Sequence, residues 1–341
     1  MQHQGDTPRN QVQCAFDVRF FSQNVRGIND AFKRKKVFNN FNDKADIIFV
    51  QESHSTSKLQ AKWDADWTGD IRYSHGTSAS CGCMIMFKAS VDREIIDTKA
   101  DENGRYLMVK CLIQGQKMFL VNVYGPNKEN EHAMFLNDLT ESVKNFYDED
   151  FYHVIFGGDW NFIENLSLDK KGGMQKIWEK SINQMNKLKE LYDLVDIWRI
   201  RNPDKKQFSW HSNMTPRVFT RLDRFYISDN MQSSIEHASL TPGLCTDHSA
   251  IVFHLKCNAT ILGQGFWKLN TQLLKDAKFI EEINKTIDQV LNLAPENTSN
   301  KRIRWDFLKY KVKETAIRES KSRAVKKRTD IKLLEKKSNG G

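Results

Sequence analysis

Carboxylate, amide, phenol and imidazole groups lie at the ends of the apolar segments of this sequence, and such groups can bind a metal ion or a phosphate. Four apolar runs lead directly into a residue of this kind, and the last apolar run follows one. In chain order the set is Asn24, Glu52, Tyr124, Asn127, Asp159, Asn161, Asp223, Asp247 and His248. A single polar residue after a strand is usually a turn or helix-cap residue. Independent turns would rarely produce this order and chemistry by chance, so the ordered set is the informative feature.

Strand ends that gather on one edge of a sheet would bring four acids together: Glu52, Asp159, Asp223 and Asp247. Unpaired charges are costly in such a partly buried place. A divalent cation relieves this cost, and Mg²⁺, with Mn²⁺ as the alternative, suits carboxylate, amide and water ligands. No cluster of His and Cys has the spacing of a zinc site. The set therefore predicts metal-assisted chemistry on a phosphate.

Short apolar runs and amphipathic stretches alternate along the part of the chain that must position these residues. Runs rich in Val, Ile and Phe predict strands at 16–22, 46–50, 83–87, 106–113, 118–123, 153–156 and 250–255, with a further strand-like segment at 221–227. Helical patterns lie at about 30–42, 130–147 and 175–191. Many strands with interspersed helices indicate a layered α/β or α+β domain.

Six short segments follow one another in an order that resembles a known family. They are 22–27 (Ser-Gln-Asn-Val-Arg-Gly), 50–53 (Val-Gln-Glu-Ser), 122–127 (Asn-Val-Tyr-Gly-Pro-Asn), 158–161 (Gly-Asp-Trp-Asn), 221–224 (Arg-Leu-Asp-Arg) and 246–249 (Thr-Asp-His-Ser). Together they resemble the endonuclease/exonuclease/phosphatase superfamily, and more narrowly the apurinic-type endonuclease domain of LINE-type non-LTR retrotransposons. Residues 263–270 also resemble, more weakly, the stretch that follows the endonuclease in such elements. The resemblance implies a two-sheet α/β sandwich with its active site at one edge.

The resemblance also implies which residues hold the metal. Glu52 would be the principal Mg²⁺ ligand, with Asn24 as a ligand or hydrogen-bond partner and Asp247 as an alternative ligand. Repair enzymes of the superfamily have an Asp two residues after the motif Asn, where this chain has Arg26. One possible ligand is therefore absent, which leaves a second metal site in doubt.

Five residues would carry the catalytic roles that the resemblance implies. Asp159 would orient or deprotonate the attacking water, or protonate the leaving oxygen, while Asn161 would help to hold the phosphate. His248, aligned by Asp223, would act on the scissile phosphate, since a neighbouring carboxylate fixes the tautomer of a histidine and raises its pKa. Tyr124 would donate a hydrogen bond to a phosphate oxygen.

Three further residues are predicted to bind the substrate. Asn127 would donate a hydrogen bond to a phosphate oxygen. Residues 210–220 resemble the hairpin that family members place against target DNA, so Arg217 and Arg221 would contact phosphates or the minor groove. The alternative is an ordinary exposed hairpin with incidental charges.

The domain organisation follows from the motifs and from the charge. Residues 1–15 are predicted to be a flexible N-terminus, 16–257 the endonuclease domain, and 258–341 a helical linker and basic tail. The chain has a net charge of +9, but residues 301–341 hold 15 Lys and Arg against 5 Asp and Glu, a balance of +10. The first 300 residues therefore balance to −1. The tail is interpreted as a nucleic-acid or nuclear-targeting patch, as a solvated helix face, or as a connector to a reverse transcriptase.

The function that the resemblance implies is Mg²⁺-dependent nicking of double-stranded target DNA, leaving a 3′-hydroxyl that primes reverse transcription. The element's own RNA is a second candidate partner, through the basic tail. No polymerase signature occurs, so the reverse transcriptase portion is absent, and no apolar run approaches the length of a membrane span. Cysteine usage favours a reducing compartment, and the nucleus is the expected location. The alternatives are an abasic-site repair nuclease or phosphatase of the same superfamily, and an inactive nucleic-acid-binding remnant.

Overall fold

The computed structural model describes residues 16–213, 215–257, 271–293, 305, 307–316 and 318–319. The chain divides into two compact units, Met1–Thr260 and Ile261–Gly341. The predicted flexible N-terminus at 1–15, the family-like segment at 263–270 and the basic run at 323–328 lie outside the described residues.

The first unit is built mainly from strands. They are β1 (Phe16–Asn24), β2 (Ile47–Gln51), β3 (Asp70–Ser74), β4 (Cys83–Phe87), β5 (Arg93–Ala100), β6 (Tyr106–Ile113), β7 (Gln116–Tyr124), β8 (His153–Asp159), β9 (Lys170–Lys171), β10 (Leu194–Asp196), β11 (Trp210–His211), β12 (Phe219–Thr220), β13 (Asp223–Ser228), β14 (Ile235–Thr241) and β15 (Ala250–Cys257). Its α-helices are α1 (Ala31–Lys44), α2 (Gln60–Asp66), α3 (Glu129–Phe146), α4 (Leu166–Asp169), α5 (Glu179–Leu191) and α6 (Ile197–Arg201), and 3₁₀ helices span Ser57–Leu59 and Asp229–Ser234.

The strands form two six-stranded mixed sheets and one small sheet. The first sheet has the order β14-β15-β1-β2-β4-β3, and the second has the order β10-β13-β8-β7-β6-β5. The small sheet, β11-β12-β9, contains the predicted hairpin, because β11 and β12 pair antiparallel. The predicted two-sheet α/β sandwich is therefore confirmed.

Three apolar clusters hold the layers together. The largest lies between the two large sheets, where Phe49 of β2 packs edge-on against Phe225 of β13 at 5.3 Å between ring centroids. On the outer face of the first sheet, Phe38 of α1 and Trp63 of α2 are fully buried against its strands. Helices α3 and α5 cover the outer face of the second sheet in the same way. The result is a four-layer helix–sheet–sheet–helix sandwich, in which central strands such as β2 and β4 are buried on both faces.

The central strands are the ones that the apolar runs predict. All five positions of β2 and of β4 are buried, which explains why both read as uninterrupted apolar segments. The strands at the four sheet edges, β3, β5, β10 and β14, were not among the predicted strands. Every residue of β5 is half-buried or exposed, which explains why its sequence is largely polar.

A polar contact joins the two sheets directly below one edge. The side-chain amide of Gln51 donates to Asn122 Oδ1 at 2.6 Å, and both residues are fully buried. Asn122 Nδ2 donates in turn to the carbonyl oxygens of Val50 and Met84, at 2.9 and 2.7 Å. Since buried amides are costly unless they are hydrogen-bonded, these bonds fix the ends of β2 and β7 relative to each other.

Chain direction explains why the polar residues meet at this edge. Strands β1 and β2 are parallel, as are β7 and β8, so their carboxyl ends point the same way within each pair. Strands β13 and β15 run antiparallel to β8 and β1, so their amino ends lie at that same edge. The last residues of β1, β7 and β8 and the residue after β2 therefore lie close to the first residue of β13 and to the residues just before β15.

The described part of the second unit is helical. It contains a 3₁₀ helix at Thr271–Lys275 and α7 (Ala277–Leu293), which agrees with the helical periodicity of that segment. Further helical residues lie at 307–316, and the hydroxyl groups of Thr286 and Thr315 are 3.1 Å apart. Among the described residues, no helix combines the length and apolar character needed to cross a bilayer.

Candidate active site

Three of the predicted residues stand side by side across the second sheet. Tyr124, the last residue of β7, pairs with Asp159, the last residue of β8. Asp159 pairs on its other side with Asp223, the first residue of β13. Gly158 permits this arrangement, because its φ is +145° and a Cβ there would lie 1.9 Å from the Val123 carbonyl oxygen. The backbone therefore presents these three side chains in one row.

The first sheet contributes the residues that face this row. Asn24 ends β1, Glu52 follows β2 with a φ of +50°, and His248 lies two residues before β15. A backbone bridge between His248 and Trp210 connects the small sheet to the same place. Both large sheets and the small sheet thus meet at the predicted site.

Asn24 links the two sheets through its side-chain amide. Its Nδ2 donates to Glu52 Oε1 at 2.8 Å and to Asp159 Oδ2 at 2.9 Å. Its Oδ1 accepts a hydrogen bond from the backbone N–H of Arg26 at 3.0 Å. The amide nitrogen of Asn24 thus faces both carboxylates as a hydrogen-bond partner, and its predicted role as a metal ligand stays a prediction.

His248 and Asp223 form a buried pair. The Nδ1–H of His248 donates to Asp223 Oδ2 at 2.9 Å, and its Nε2 lies 3.8 Å from Asp159 Oδ2. Burial alone would lower the pKa of His248, but the charges of Asp223 and Asp159 and the hydrogen bond to Asp223 outweigh burial and raise it. The imidazole is therefore held protonated, with Nε2–H directed toward the place where Asp159 lies.

Asp159 is fully buried, and burial shifts its pKa in the direction opposite to that for His248. Burial and the neighbouring charge of Asp223 raise the pKa of Asp159, while His248 and the hydrogen bond from Asn24 lower it. The net effect is a raised pKa, which makes this carboxyl a group able to accept a proton near neutral pH. Asn161 supports it, because its backbone N–H donates to Asp159 Oδ1 at 3.1 Å. The Asn161 side chain donates to the Gly125 carbonyl at 2.8 Å.

Tyr124 lies between Glu52 and an arginine. Burial, the charge of Glu52 and a hydrogen bond with Glu52 raise the pKa of the Tyr124 phenol, so it remains a donor. The guanidinium of Arg105 lies 4.8 Å from the centre of the Tyr124 ring. Asn127 is exposed in the connection between β7 and α3, and its predicted phosphate contact stays a prediction.

The oxygen and nitrogen donors of the site fit a divalent cation to different degrees. Ligand atoms of Asp159, Asp223 and His248 lie within 4.8 Å of one another, but all three side chains are buried. Asp223 and His248 are already engaged with each other. Glu52 is 23% exposed and shares the Asn24 amide with the buried Asp159, so Glu52 is the carboxylate of this pair that a cation from solvent can reach directly. Oxygen donors of this kind fit Mg²⁺ or Mn²⁺.

Asp247, predicted as an alternative metal ligand, has other partners. Its Oδ2 lies 3.1 Å from Arg26 Nη1 and accepts a hydrogen bond from the Trp210 indole at 3.2 Å. Among the described residues, neither Asp247 nor Glu52 is part of the group of closely spaced metal-ligand atoms. The carboxylate of Asp247 instead holds an arginine at the rim of the site.

Arg221, predicted to contact DNA, is a buried structural residue, and that prediction is wrong. Its side chain is 1% exposed. The guanidinium donates to Asp169 Oδ1 at 2.8 Å and to Asp196 Oδ2 at 2.6 Å. An arginine that is buried and already bonded to two carboxylates does not contact a phosphate in solvent. Arg217, in contrast, is exposed in the connection between β11 and β12, as a DNA contact requires.

Two histidines near the site were not singled out from the sequence. The Nε2–H of His132, on the buried face of α3, donates at 2.7 Å to the carbonyl of Trp160, which follows Asp159. Burial lowers the pKa of His132 to about 4, so it stays neutral. His54 Nε2 lies 3.9 Å from Glu52 Oε2. Two signals in the sequence could have identified them: His54 lies two residues after Glu52, and His132 is a polar residue within the apolar stripe of α3.

Comparisons with known proteins agree with this geometry. The chain is 27% identical over 242 residues to the "Transposon TX1 uncharacterized 149 kDa protein" of Xenopus laevis, a match that covers 70% of this chain and 18% of that protein. It thus spans less than a fifth of the length of that relative. The fold is similar to that of AP endonuclease LMAP from Leishmania major, with a TM-score of 0.58, 16% identity, and coverage of 71% of this chain and 88% of that one. An AP endonuclease from Archaeoglobus fulgidus gives a TM-score of 0.58 at 17% identity, over 69% of this chain and 98% of that one.

The family itself is decided by a match over most of the first unit. The model of the Endonuclease/Exonuclease/phosphatase family matches residues 21–248, a span that begins in β1 and ends at His248. All the residues in the row across the second sheet, together with Asn24 and Glu52, lie within it. The resemblance stated from the six segments is thereby confirmed, and the chain belongs to the Endonuclease/Exonuclease/phosphatase family.

Proposed function

We propose that this chain is a Mg²⁺-dependent DNA endonuclease that nicks one strand of a duplex and leaves the 3′-hydroxyl from which a retrotransposon primes reverse transcription. The observation that carries the proposal is the hydrogen-bonded set Glu52–Asn24–Asp159 beside the Asp223–His248 pair. It unites a place for a cation, a carboxyl that accepts a proton and a protonated imidazole. The transposon relative favours the retrotransposon setting.

The side chains divide the reaction between them. Asp159 orients the attacking water and takes up its proton, or delivers a proton to the leaving oxygen, and its raised pKa suits either role. A bond forms between the water oxygen and phosphorus, and the bond from phosphorus to the 3′ oxygen breaks. The products are a 3′-hydroxyl and a 5′-phosphate. His248 holds Nε2–H toward a phosphate oxygen, and Asp223 keeps the ring in that orientation.

The family generally depends on a divalent metal, and Glu52 with Asp159 would hold it in this chain. When bound, Mg²⁺ would stabilise the negative charge that develops on the phosphate. Mn²⁺ is the expected substitute because it accepts the same oxygen ligands.

The proposed partner is duplex DNA, and two exposed cations near the small sheet support this proposal. They are Lys171 of β9 and Arg217 of the connection between β11 and β12, and the bridge between Trp210 and His248 connects this sheet to the site. The tail of residues 301–341 is proposed to add affinity for DNA or for the element's own RNA. Action on chromosomal DNA would place the protein in the nucleus.

A plasmid experiment tests the proposal. Supercoiled DNA is incubated with the protein and Mg²⁺, and the expected product is the nicked circle, which a DNA polymerase extends without prior end repair. Glu52→Gln should abolish nicking, since it removes a charge at the cation site. Glu94→Gln is the matched control, because Glu94 is an exposed residue of β5.

Each outcome of the experiment has a distinct meaning. Equal nicking by the wild type and Glu52→Gln, across several DNA sequences, would refute the proposal. Cleavage of abasic-site DNA or of inositol phosphates, with none of ordinary duplex, would point to a repair nuclease or phosphatase instead. Salt-sensitive DNA binding without any cleavage would indicate a binding remnant.

A further inference from the structure

Arg26 places a positive charge at the rim of the site, where the Lys33 ammonium also lies. Nη1 of Arg26 lies 3.1 Å from Oδ2 of Asp247, the residue that precedes His248 in the chain. The side chain of Arg26 is 60% exposed, whereas that of Asp247 is 17% exposed. The pair is therefore anchored on its carboxylate side and open to solvent on its guanidinium side.

The backbone of Arg26 is strained and is held in place from several directions. Its φ is +50°, a conformation that residues with a Cβ adopt rarely. Its N–H donates to Asn24 Oδ1 at 3.0 Å, and Lys33 Nζ donates to its carbonyl at 3.1 Å. The next N–H, that of Gly27, donates to the Glu52 carbonyl at 2.7 Å. Strain of this kind persists where the surroundings over-determine it, and it is concentrated at functional sites.

The same contacts tie Arg26 to the reacting groups. Asn24 accepts from Arg26 with its Oδ1 while its Nδ2 donates to Glu52 and Asp159. The Arg26 guanidinium itself is held by Asp247 through Nη1, and it retains further N–H groups beyond that one. Planar N–H groups of arginine match the oxygens of a phosphate diester in pairs.

One carboxylate oxygen of Asp247 has two partners in this arrangement. Its Oδ2 already accepts from a cation and from the Trp210 indole at 3.2 Å. The indole also fixes the carboxylate relative to the small sheet, where Trp210 begins β11. Asp247 thus has the contacts of a residue that positions Arg26.

We propose that Arg26 binds a backbone phosphate of the nucleic-acid substrate beside the scissile one, and that Asp247 positions it and is not a metal ligand. This inference rests on the proposed function, since it identifies a substrate contact of the same site. Arg26 supplies a fixed positive charge where Asp247 would otherwise add to the negative charge of Glu52, Asp159 and Asp223.

The first test measures DNA binding in EDTA, so that cleavage plays no part. Relative to the wild type, Arg26→Gln should raise the Kd for a short duplex about tenfold. It should also reduce the slope of log Kd against log salt by about one, as expected when one phosphate contact is lost. Arg26→Lys should keep the slope, because it keeps the charge. Arg93→Gln is the control, since Arg93 is ion-paired to Asp70 at 2.8 Å and begins β5 at the far end of its sheet.

The second test measures Mn²⁺ binding by calorimetry or electron paramagnetic resonance. Asp247→Asn should bind Mn²⁺ as the wild type does, whereas Glu52→Gln should lose binding at least tenfold. Loss of Mn²⁺ affinity in Asp247→Asn comparable to that in Glu52→Gln would make Asp247 a ligand and overturn the inference. An unchanged Kd and salt slope in Arg26→Gln would overturn it as well.

The two proposals fail in different ways. If the wild type nicks plasmid but Arg26→Gln binds duplex normally, only the role of Arg26 is wrong. If the wild type nicks nothing in Mg²⁺, the proposed function fails, while the binding measurement in EDTA still decides whether Arg26 contacts the phosphate backbone.

Discussion

At the scale of single residues, burial acts in opposite directions on the pKa values of Asp159 and His248, whereas the charge of Asp223 raises both. Burial raises the pKa of Asp159, and the charge of Asp223 raises it further. For His248, burial lowers the pKa, but the charges of Asp223 and Asp159 outweigh that effect. One carboxylate, Asp223, therefore shifts both neighbours toward their protonated forms.

Asp223→Asn tests this arrangement through the pH dependence of nicking. Without the carboxylate, the pKa of His248 falls, so the histidine loses its proton at lower pH than in the wild type. The alkaline limb of kcat/KM should move to lower pH, and kcat at neutral pH should fall by roughly 10²- to 10⁴-fold. Rates of plasmid nicking measured across the pH range provide both quantities.

A matched control separates this effect from a general loss of charge. Asp97→Asn changes an exposed residue of β5 that lies 3.8 Å from Lys110, and it should leave the pH profile unchanged. A lower rate in Asp223→Asn with an unshifted profile would mean that Asp223 only supports the fold.

At the scale of elements, the sequence predicted the centre of each sheet and missed its edges. The inner strands, such as β2 and β4, are buried on both faces and therefore appear as apolar runs. The edge strands β5 and β14 alternate or mix polar and apolar residues, because part of each is exposed to solvent. Apolar periodicity indicates buried side chains, and a strand can pair at the edge of a sheet with few of its side chains buried.

The prediction for Arg221 was wrong because its burial depends on acidic residues that are distant in the sequence. Basic residues on a hairpin are usually exposed, and the sequence does not show that Asp169 and Asp196 enclose this one. Arg224 lies in the same network, with Nη2 at 3.4 Å from Asp169 Oδ2. This ion-pair network connects α4 to β10 and β13 of the second large sheet. Because α4 leads directly into β9, the network also fixes the small sheet to the second large sheet.

Arg221→Met should destabilise the protein, because it leaves two buried carboxylates short of a partner. The expected loss is about 3–5 kcal/mol in the free energy of unfolding. Urea denaturation followed by circular dichroism measures it. Arg217→Met, an exposed change in the same hairpin, should shift stability by less than about 0.5 kcal/mol. Equal effects of the two changes would contradict the structural role of Arg221.

Acid should weaken the same network. Burial alone would raise the pKa of Asp169, but Arg224 and Arg221 outweigh it and hold that pKa well below its usual range. A depressed pKa in the folded state means that the stabilisation is complete above the unfolded pKa of about 3.9 and is lost as pH falls below it. In urea denaturation from pH 7 to about pH 3, Asp169→Asn should lack this portion of the acid-induced loss. An acid slope equal to that of the wild type would contradict it.

At the scale of the whole molecule, charge and chemistry occupy different parts of the chain. The balance of −1 belongs to the first 300 residues, which contain the site, and +10 belongs to residues 301–341. The carboxylates proposed to hold the cation and to move the proton lie in the first 300 residues, apart from that excess positive charge. Affinity for a polyanion and the rate of the chemical step should therefore be separable.

Replacing Lys326, Lys327 and Arg328 by Gln tests this separation. The variant should bind DNA or RNA more weakly and with a smaller salt dependence, because it releases fewer counterions. At saturating DNA its nicking rate should stay within about twofold of the wild type. A proportional loss of kcat would show instead that the tail takes part in the reaction.

The sequence alone determined the kinds of side chain at the site and the order of the strands that carry them. Asn24, Glu52, Asp159 and His248 were predicted from their positions beside apolar runs, because burial of a strand on both faces leaves a readable pattern. Tertiary structure decided which charges face one another. It paired Asp247 with Arg26 and enclosed Arg221, because ion pairs form between segments far apart in the chain, and local sequence carries no record of those distances.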